Sequence, residues 1–431
     1  MVSAKGQIGF HYYPDDRHFT QKDLDYWQPI LTSLSASWLT LKATAARAIP
    51  EFFIQGLSEI GVKPIIHLPA QVGSLPATEL TTLMASYAHW GVEHVVVYDR
   101  PNMRSAWNPS EWSKVGLVER FLDQVLPILQ AQRGAGLKPV LPPLEPGGDY
   151  WDTAFLSACL KGLLRRGQKD LVRSLALAGY LWTNEKPLSW GAGGPRQWPE
   201  AKPYHTPEGS QDQRGFHLFD WYGQISTDVT GQRLPLLVIG GGDLPHGNDP
   251  IKAQDTHAEV NLAIARQIVA GEHTSDFENF AFFLLAAEAE DPLQKHAWFP
   301  ALRPPLPVVD AFKRLIASGP KQVPPQPEKA IPHYLLLPND QRAARETWLQ
   351  ASDYALAHPE LVVGFSPEVA AKAARVTLAG GEDRFSLVLE NQLRTAGCVV
   401  QRMSFVQQLG ASKSPLKEAV NAAAGAGEVN G

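Results

Sequence analysis

The chain is 431 residues long, with 44% hydrophobic and 19% charged residues and a formal charge of −5. That composition supports a large buried core, and a pI near 6.2 without a basic stripe excludes a nucleic-acid partner, which would need clustered Lys and Arg. Cys159 and Cys398 stand far apart with no CxxC spacing, so no disulfide framework, zinc site or redox motif is written here and both read as ordinary buried thiols.

From Ile8 to about Ala317, short apolar runs alternate with amphipathic stretches. The runs that read as strands are IGFHYY from Ile8, SWLTLKA from Ser37, KPIIHLP from Lys63 and HVVVYD from His94. KPVLPPLEP from Lys138, LALAGYLW from Leu175, LPLLVIGG from Leu234 and FAFFLLAA from Phe280 follow. Between them IPEFFIQGLSEIG, VERFLDQVLPILQAQRGAG and HAEVNLAIARQIVAG repeat apolar residues at helical spacing, and the first two stop at glycine. Alternating strand and helix units of this number predict an α/β fold, a (β/α)8 TIM barrel. Continuous apolar strands suit a parallel sheet covered on both faces. The alternative is a doubly wound open sheet, against which stands the lack of a glycine-rich phosphate turn after the first strand. VIGGGD at Val238 does not continue as GxGxxG into a helix.

The stretch from Thr183 to Phe216 is rich in Pro, Gly and Trp and has neither helical nor strand period. Loops this long are functional or disordered, and Trp190, Trp198 and Tyr204 argue for a folded lid. The barrel is assigned to residues 1–317 and a Pro-rich linker to 318–332. A small α/β domain at 333–410 is built on HYLLLP, LVVGFS, ARVTLAGG and CVVQRM with helices TWLQASDYALAH, PEVAAKAA and LVLENQLRTAG. Residues 411–431 lack bulky apolar side chains and read as a disordered tail. No run is long enough to span a bilayer, and no leader-like segment precedes Ile8. The expectation is a soluble chain, cytoplasmic or a mature or partial form of an exported protein.

In such a barrel the site lies at the C-terminal ends of the strands. The first strand end offers His11, Tyr13, Asp15, Asp16 and Arg17, the second Lys42 and the third His67. The fourth carries Tyr98, Asp99, Arg100, Asn102 and Trp107, and the fifth Glu145, Asp149, Tyr150, Trp151 and Asp152. The sixth brings Tyr180, Trp182, Asn184 and Trp190, the seventh Asp243 and His246, the eighth Glu288, Glu290 and Trp298. Aromatic rings and carboxylates on one rim are the composition of a sugar site, where rings stack and hydroxyls are hydrogen-bonded; some of these tryptophans can equally be packing residues. His67, His246 and His257 lack HxH or HExxH spacing, so no metal is expected, no GxSxG elbow occurs, and no cofactor is implied.

The layout from GFHYYPD through SWLTLKA, the DRPN turn and LPLLVIGGG to AWFP and PLPVVDAFKRL resembles a clan A glycoside hydrolase over the first ~315 residues. The resemblance implies an acid/base Glu after the fourth strand and a nucleophile Glu ending the seventh, the carboxyls about 5–5.5 Å apart. Those positions here hold Arg100, which cannot donate a proton at neutral pH, and Gly240. The expected function is therefore carbohydrate binding by a catalytically degenerate barrel. Its ligand-binding residues are His11, Tyr13, Asp15, His67, Tyr98, Arg100, Asn102, Trp107, Asp149, Tyr150, Trp182, Trp190 and Trp298, and Arg100 suggests an anionic group on the ligand. The alternatives are an active hydrolase with relocated carboxylates, Asp99 or Glu145 with Asp243, and a protein-interaction platform. Asp99 also reads as a salt-bridge partner of a nearby Arg, and Asp243 as a turn or cap residue. The stretch ARVTLAGGEDRFSLVLENQLRTAGCVVQRM is similar to one bacterial cell-wall-binding repeat, which implies a wall polymer as a partner besides an oligosaccharide or polysaccharide; an accessory domain is the other reading.

Overall fold

A computed structural model describes residues 4–246, 250–318, 329, 331–357, 361–381, 384–386, 389, 390, 392, 393 and 396–403. The tail at 411–431 lies outside them, as do parts of the stretch 318–332 and of the segment LVLENQLRTAG. The chain divides into two units after Pro320.

The first unit contains β1 (Ile8–His11), β2 (Trp38–Lys42), β3 (Lys63–Leu68), β4 (His94–Val97), β5 (Val140–Leu141), β6 (Ala176–Trp182), β7 (Leu236–Gly242) and β8 (Asn279–Phe282). They form one eight-stranded parallel sheet in the order β4-β3-β2-β1-β8-β7-β6-β5. The first strand lies beside the last, with Ile8 opposite Phe280, so the sheet curls into a (β/α)8 barrel. Strand alternation sends Trp38, Ile65, Val96, Val140, Ala178, Leu237 and Ile239 to an inner core, and Phe10, Leu39, Leu41, Ile66 and Phe280 to an outer core shared with the helices. Both faces are buried, which is why the strands read as unbroken apolar runs.

The remaining seam, between β4 and β5, is closed differently. Pro139, Pro142 and Pro143 deprive β5 of backbone donors, and it spans only two residues. Lys138 N donates to Glu93 O and Arg100 N to Pro143 O, each at 3.0 Å. Between these points the buried Gln132, on the helix Leu117–Gly134, takes the place of a strand neighbour. Its Nε2 donates to Val95 O at 2.7 Å, and its Oε1 accepts from Val140 N at 3.1 Å. Gln132→Leu orphans both backbone groups, and we expect it to lower the unfolding free energy by about 2–4 kcal/mol. Urea denaturation measures this; an unchanged midpoint would show that the seam closes without the side chain.

Past β8, the short β9 (Ala286–Ala287) and β10 (Phe299–Pro300) pair in parallel. The second unit is a smaller α/β region. It holds β11 (Ile331–Leu336), β12 (Leu361–Gly364), β13 (Ala373–Ala379) and β14 (Val399–Met403), parallel in the order β12-β11-β13-β14. Tyr334, Leu336, Val376, Leu378 and Val400 supply its own core. Among the described residues no helix is long and apolar enough to cross a membrane.

Candidate functional site

The strand period that fills the inner core brings polar side chains to its upper layer. Two residues beyond Ile65 stands His67, and two beyond Ala178 stands Tyr180; His11 and Lys42 end β1 and β2 in the same way. After β4 the chain turns sharply. Tyr98 and Arg100 take left-handed backbone angles, φ 74° and 48°, a strained arrangement for non-glycine residues that is typical of functional turns.

Arg100 joins side chains of β6 and of the loops that follow β4 and β5. Its Nε lies 3.4 Å from Asp99 Oδ2, its Nη1 3.3 Å from Glu145 Oε2, and its guanidinium 4.8 Å from the centre of the Tyr180 ring. Tyr180 Oη donates to Asp99 Oδ1 at 2.9 Å. Burial disfavours the guanidinium charge, but Asp99, Tyr180 and Glu145 outweigh it and hold the pKa above its ordinary value. Burial raises the Glu145 carboxyl; Arg100 lowers it in part, and Asp99 raises it again.

Beside this ion-paired cluster runs an aromatic wall. Tyr180 and Trp182 stack at 5.8 Å with planes 11° apart. Trp182 meets Phe283 edge-on at 5.3 Å, and Phe283 lies 5.1 Å from His11. The wall occupies the space above Gly240, where a Cβ would come within 3.3 Å of Tyr180 Cδ1 and 3.4 Å of Trp182 Cη2. Two neutral histidines complete the mouth. His11 Nδ1 is 2.9 Å from Ile239 O and His67 Nε2 is 3.1 Å from Tyr98 O, pairings that assign the ring N–H to those atoms. Burial lowers both pKa values, that of His11 to about 4.

Other residues expected at the site are placed elsewhere. Asn102 is wholly buried and clamps the β4 and β5 loops, donating to Glu145 O at 2.8 Å and Tyr150 O at 2.9 Å. Trp107 is buried and donates to Pro101 O at 2.7 Å, and the Tyr98 ring is buried outside the mouth, its Oη donating to Leu75 O. Asp149 accepts from Arg104 N, and Tyr150 packs edge-on against Phe155. Trp298 lies in the outer core among Phe10, Phe282 and Phe312 at 5.1–5.4 Å. Tyr13 stacks on His18, which reaches Asp15.

Asp243 follows β7 and belongs to a separate cluster. It accepts from Thr183 Oγ1 at 2.6 Å and lies 3.8 Å from His246. Burial raises its pKa, which Thr183 and His246 lower and Glu185 raises; Asp99 belongs instead to Arg100 and Tyr180. The Thr183–Phe216 loop folds around the buried Asp212, which accepts from Trp190 Nε1 at 3.1 Å, Thr206 Oγ1 at 2.8 Å and Arg214 Nε at 2.9 Å. Burial would raise that carboxyl, but Arg214, Thr206 and Trp190 overcome it and hold it well below the usual range. Phe283 escaped sequence reasoning because it is one apolar letter within FAFFLLAA; only the strand period marks it as inward-facing. Among the described residues no three His, Cys, Asp or Glu converge as a metal site.

No family model and no curated protein matches the chain. Among solved structures, it is similar to a family 39 glycoside hydrolase from the gut symbiont Bacteroides cellulosilyticus WH2, at 11% identity and a TM-score of 0.48, covering 73% of this chain and 64% of that one. The chain thus spans less than two thirds of that protein's length. It is also similar to a GH128 endo-β-1,3-glucanase from Sorangium cellulosum, at 12% identity and a TM-score of 0.42, covering 71% and 97%. A third is a 4-O-α-L-rhamnosyl-β-D-glucuronidase from Fusarium oxysporum, at 8% identity and a TM-score of 0.45, covering 72% and 69%. What the mouth of this barrel can bind is set by its own side chains.

Proposed function

We propose that the barrel binds carbohydrate at its mouth and does not cleave it. The observation that carries this reading is Arg100, held between Asp99 and Glu145. The two candidate carboxylates at the mouth, Asp99 and Glu145, face a fixed positive charge instead of an empty space for a glycosidic oxygen, and the third, Asp243, is held apart from them by Thr183. In most glycoside hydrolases two carboxyls flank the scissile bond. The residue that the resemblance equates with the acid is Arg100, and the one equated with the nucleophile is Gly240. The aromatic wall of Tyr180, Trp182 and Phe283 offers faces for a sugar ring. The neutral His11 and His67, with Lys42 and the Asp99–Glu145 pair, offer acceptors and donors for hydroxyls. Arg100 is matched by two carboxylates, so this reading favours a neutral sugar over the anionic one that Arg100 alone suggested.

Calorimetric titration with cello-, laminari-, xylo-, manno- and chito-oligosaccharides, alongside an overnight reducing-sugar assay, tests it. Muropeptide fragments belong in the panel because the resemblance in the second unit implies a wall polymer. The expected result is binding of at least one series without product, weakened about tenfold or more by Trp182→Ala through loss of ring stacking. Cleavage of any member, abolished by Asp99→Asn or Glu145→Gln, would establish the relocated-carboxylate hydrolase instead. Absence of binding across the panel would sink the carbohydrate reading.

A further inference from the structure

A groove of about 400 Å³ runs behind the β4 turn, between the loop after β3 and the helix Leu117–Gly134. Its volume falls in the range of small-molecule sites. Its walls are fixed to the turn that carries Asp99 and Arg100. Trp107 is fastened to Pro101 O at 2.7 Å, Val72 N donates to Ala106 O at 2.9 Å, and Gly73 N donates to Tyr98 Oη at 3.3 Å.

The charges around this groove are already matched. Arg120 lies over the Trp107 ring at 5.3 Å and 3.5 Å from Glu111, and Asp123 pairs with Arg166 at 2.8 Å. The uncommitted polar groups are primary amides. Gln71 and Gln124 line the groove without a side-chain hydrogen bond among the described residues, and Asn108 uses only its oxygen, to cap Ser110. An amide both donates and accepts, which suits vicinal hydroxyls, and it carries no charge to attract a phosphate or carboxylate.

We propose that this groove is a second carbohydrate subsite, taking further units of a neutral oligosaccharide whose first ring lies in the mouth. The inference rests on the binding reading of the mouth. The test compares the disaccharide and hexasaccharide of each series named above on wild type, on the double variant Gln71→Ala/Gln124→Ala and on Trp182→Ala. Gln71 and Gln124 are exposed, so thermal melting of the double variant should match wild type. The expected result is that the double variant binds the hexasaccharide about tenfold more weakly, the effect of one or two lost hydrogen bonds, and the disaccharide as wild type does, while Trp182→Ala weakens both. Unchanged hexasaccharide binding would overturn the groove and leave the mouth standing. Equal losses for both lengths in the double variant would also overturn it, since the amides would then act on the mouth. Wild type that binds neither length overturns both readings.

Discussion

Unfolding free energy should fall by roughly 2–3 kcal/mol for each pH unit between roughly pH 6 and 5, on the linkage of protons to folding. Burial pushes three imidazoles, His11, His94 and His257, down from 6.5 to about 4. Each titrates lower in the folded chain than in the unfolded one, so its contribution is complete above pH 6.5 and is lost as pH falls toward 4. His94, on the inner face of β4, and His257 have no hydrogen bond at either ring nitrogen. Glu278 stands 3.9 Å from His94, beyond hydrogen-bond reach, and does not offset burial. Raised carboxyls work the other way, Asp152 foremost. Burial raises Asp152 from 3.8 to about 6 against hydrogen bonds from Gly147, Gln213 and Tyr222, so the folded state takes up a proton there that the unfolded state releases. Three imidazoles less one carboxyl leaves two protons favouring the unfolded state. His67 and His296 are lowered as well, while Glu145 and Asp243 are raised, and these oppose one another. Chemical denaturation at a series of pH values checks the slope, and His94→Leu should flatten it by about 1.4 kcal/mol per pH unit. Stability that is level from pH 7 to 4.5 would show that these imidazoles titrate normally in the folded chain.

The barrel was legible because its strands are buried on both faces: HVVV, LPLLVIGG and FAFFLLAA can hardly be anything else once amphipathic helices separate them. The seam was not. Gln132 reads as one more polar residue in VERFLDQVLPILQAQRGAG, and only the pairing of strands shows that it stands in for the donors that the β5 prolines lack. The site was half legible for a related reason. Position after a strand marks which residues approach the mouth, and it found His11, His67, Asp99, Arg100, Glu145, Tyr180 and Trp182. It does not reveal which way a loop side chain turns. Asn102 and Trp298 occupy the right stretch of sequence, yet one clamps two loops from within and the other fills the outer core. Side-chain direction in an irregular segment depends on contacts distant in sequence, and a period of two carries none of that information.

Returning the two carboxyls implied by the resemblance should not create a glycosidase. Gly240→Glu places a Cβ where Tyr180 and Trp182 are already 3.3 and 3.4 Å away, the first tighter than an ordinary van der Waals contact and the second at its limit. The carboxylate beyond it would have to part a stacked pair whose planes lie 11° apart. The neighbouring cation, Arg100, is committed to Asp99 and Glu145, so the new charge would enter a ring-lined space without a partner. Overpacking together with an unpaired buried carboxyl should lower stability by about 2–4 kcal/mol. Adding Arg100→Glu removes the guanidinium between Asp99 and Glu145 and sets three carboxyls side by side, which raises the pKa of at least one of them. The double variant is therefore expected to melt earlier than wild type at neutral pH, to regain part of that loss on mild acidification, and to release no reducing sugar from the oligosaccharide panel. Hydrolysis by the double variant would mean that the aromatic wall yields to a nucleophile, and that only the two substitutions separate this barrel from an enzyme. Inactivity with intact binding would show that the wall over β7, built by Tyr180 and Trp182, bars hydrolysis even when both carboxyls are supplied.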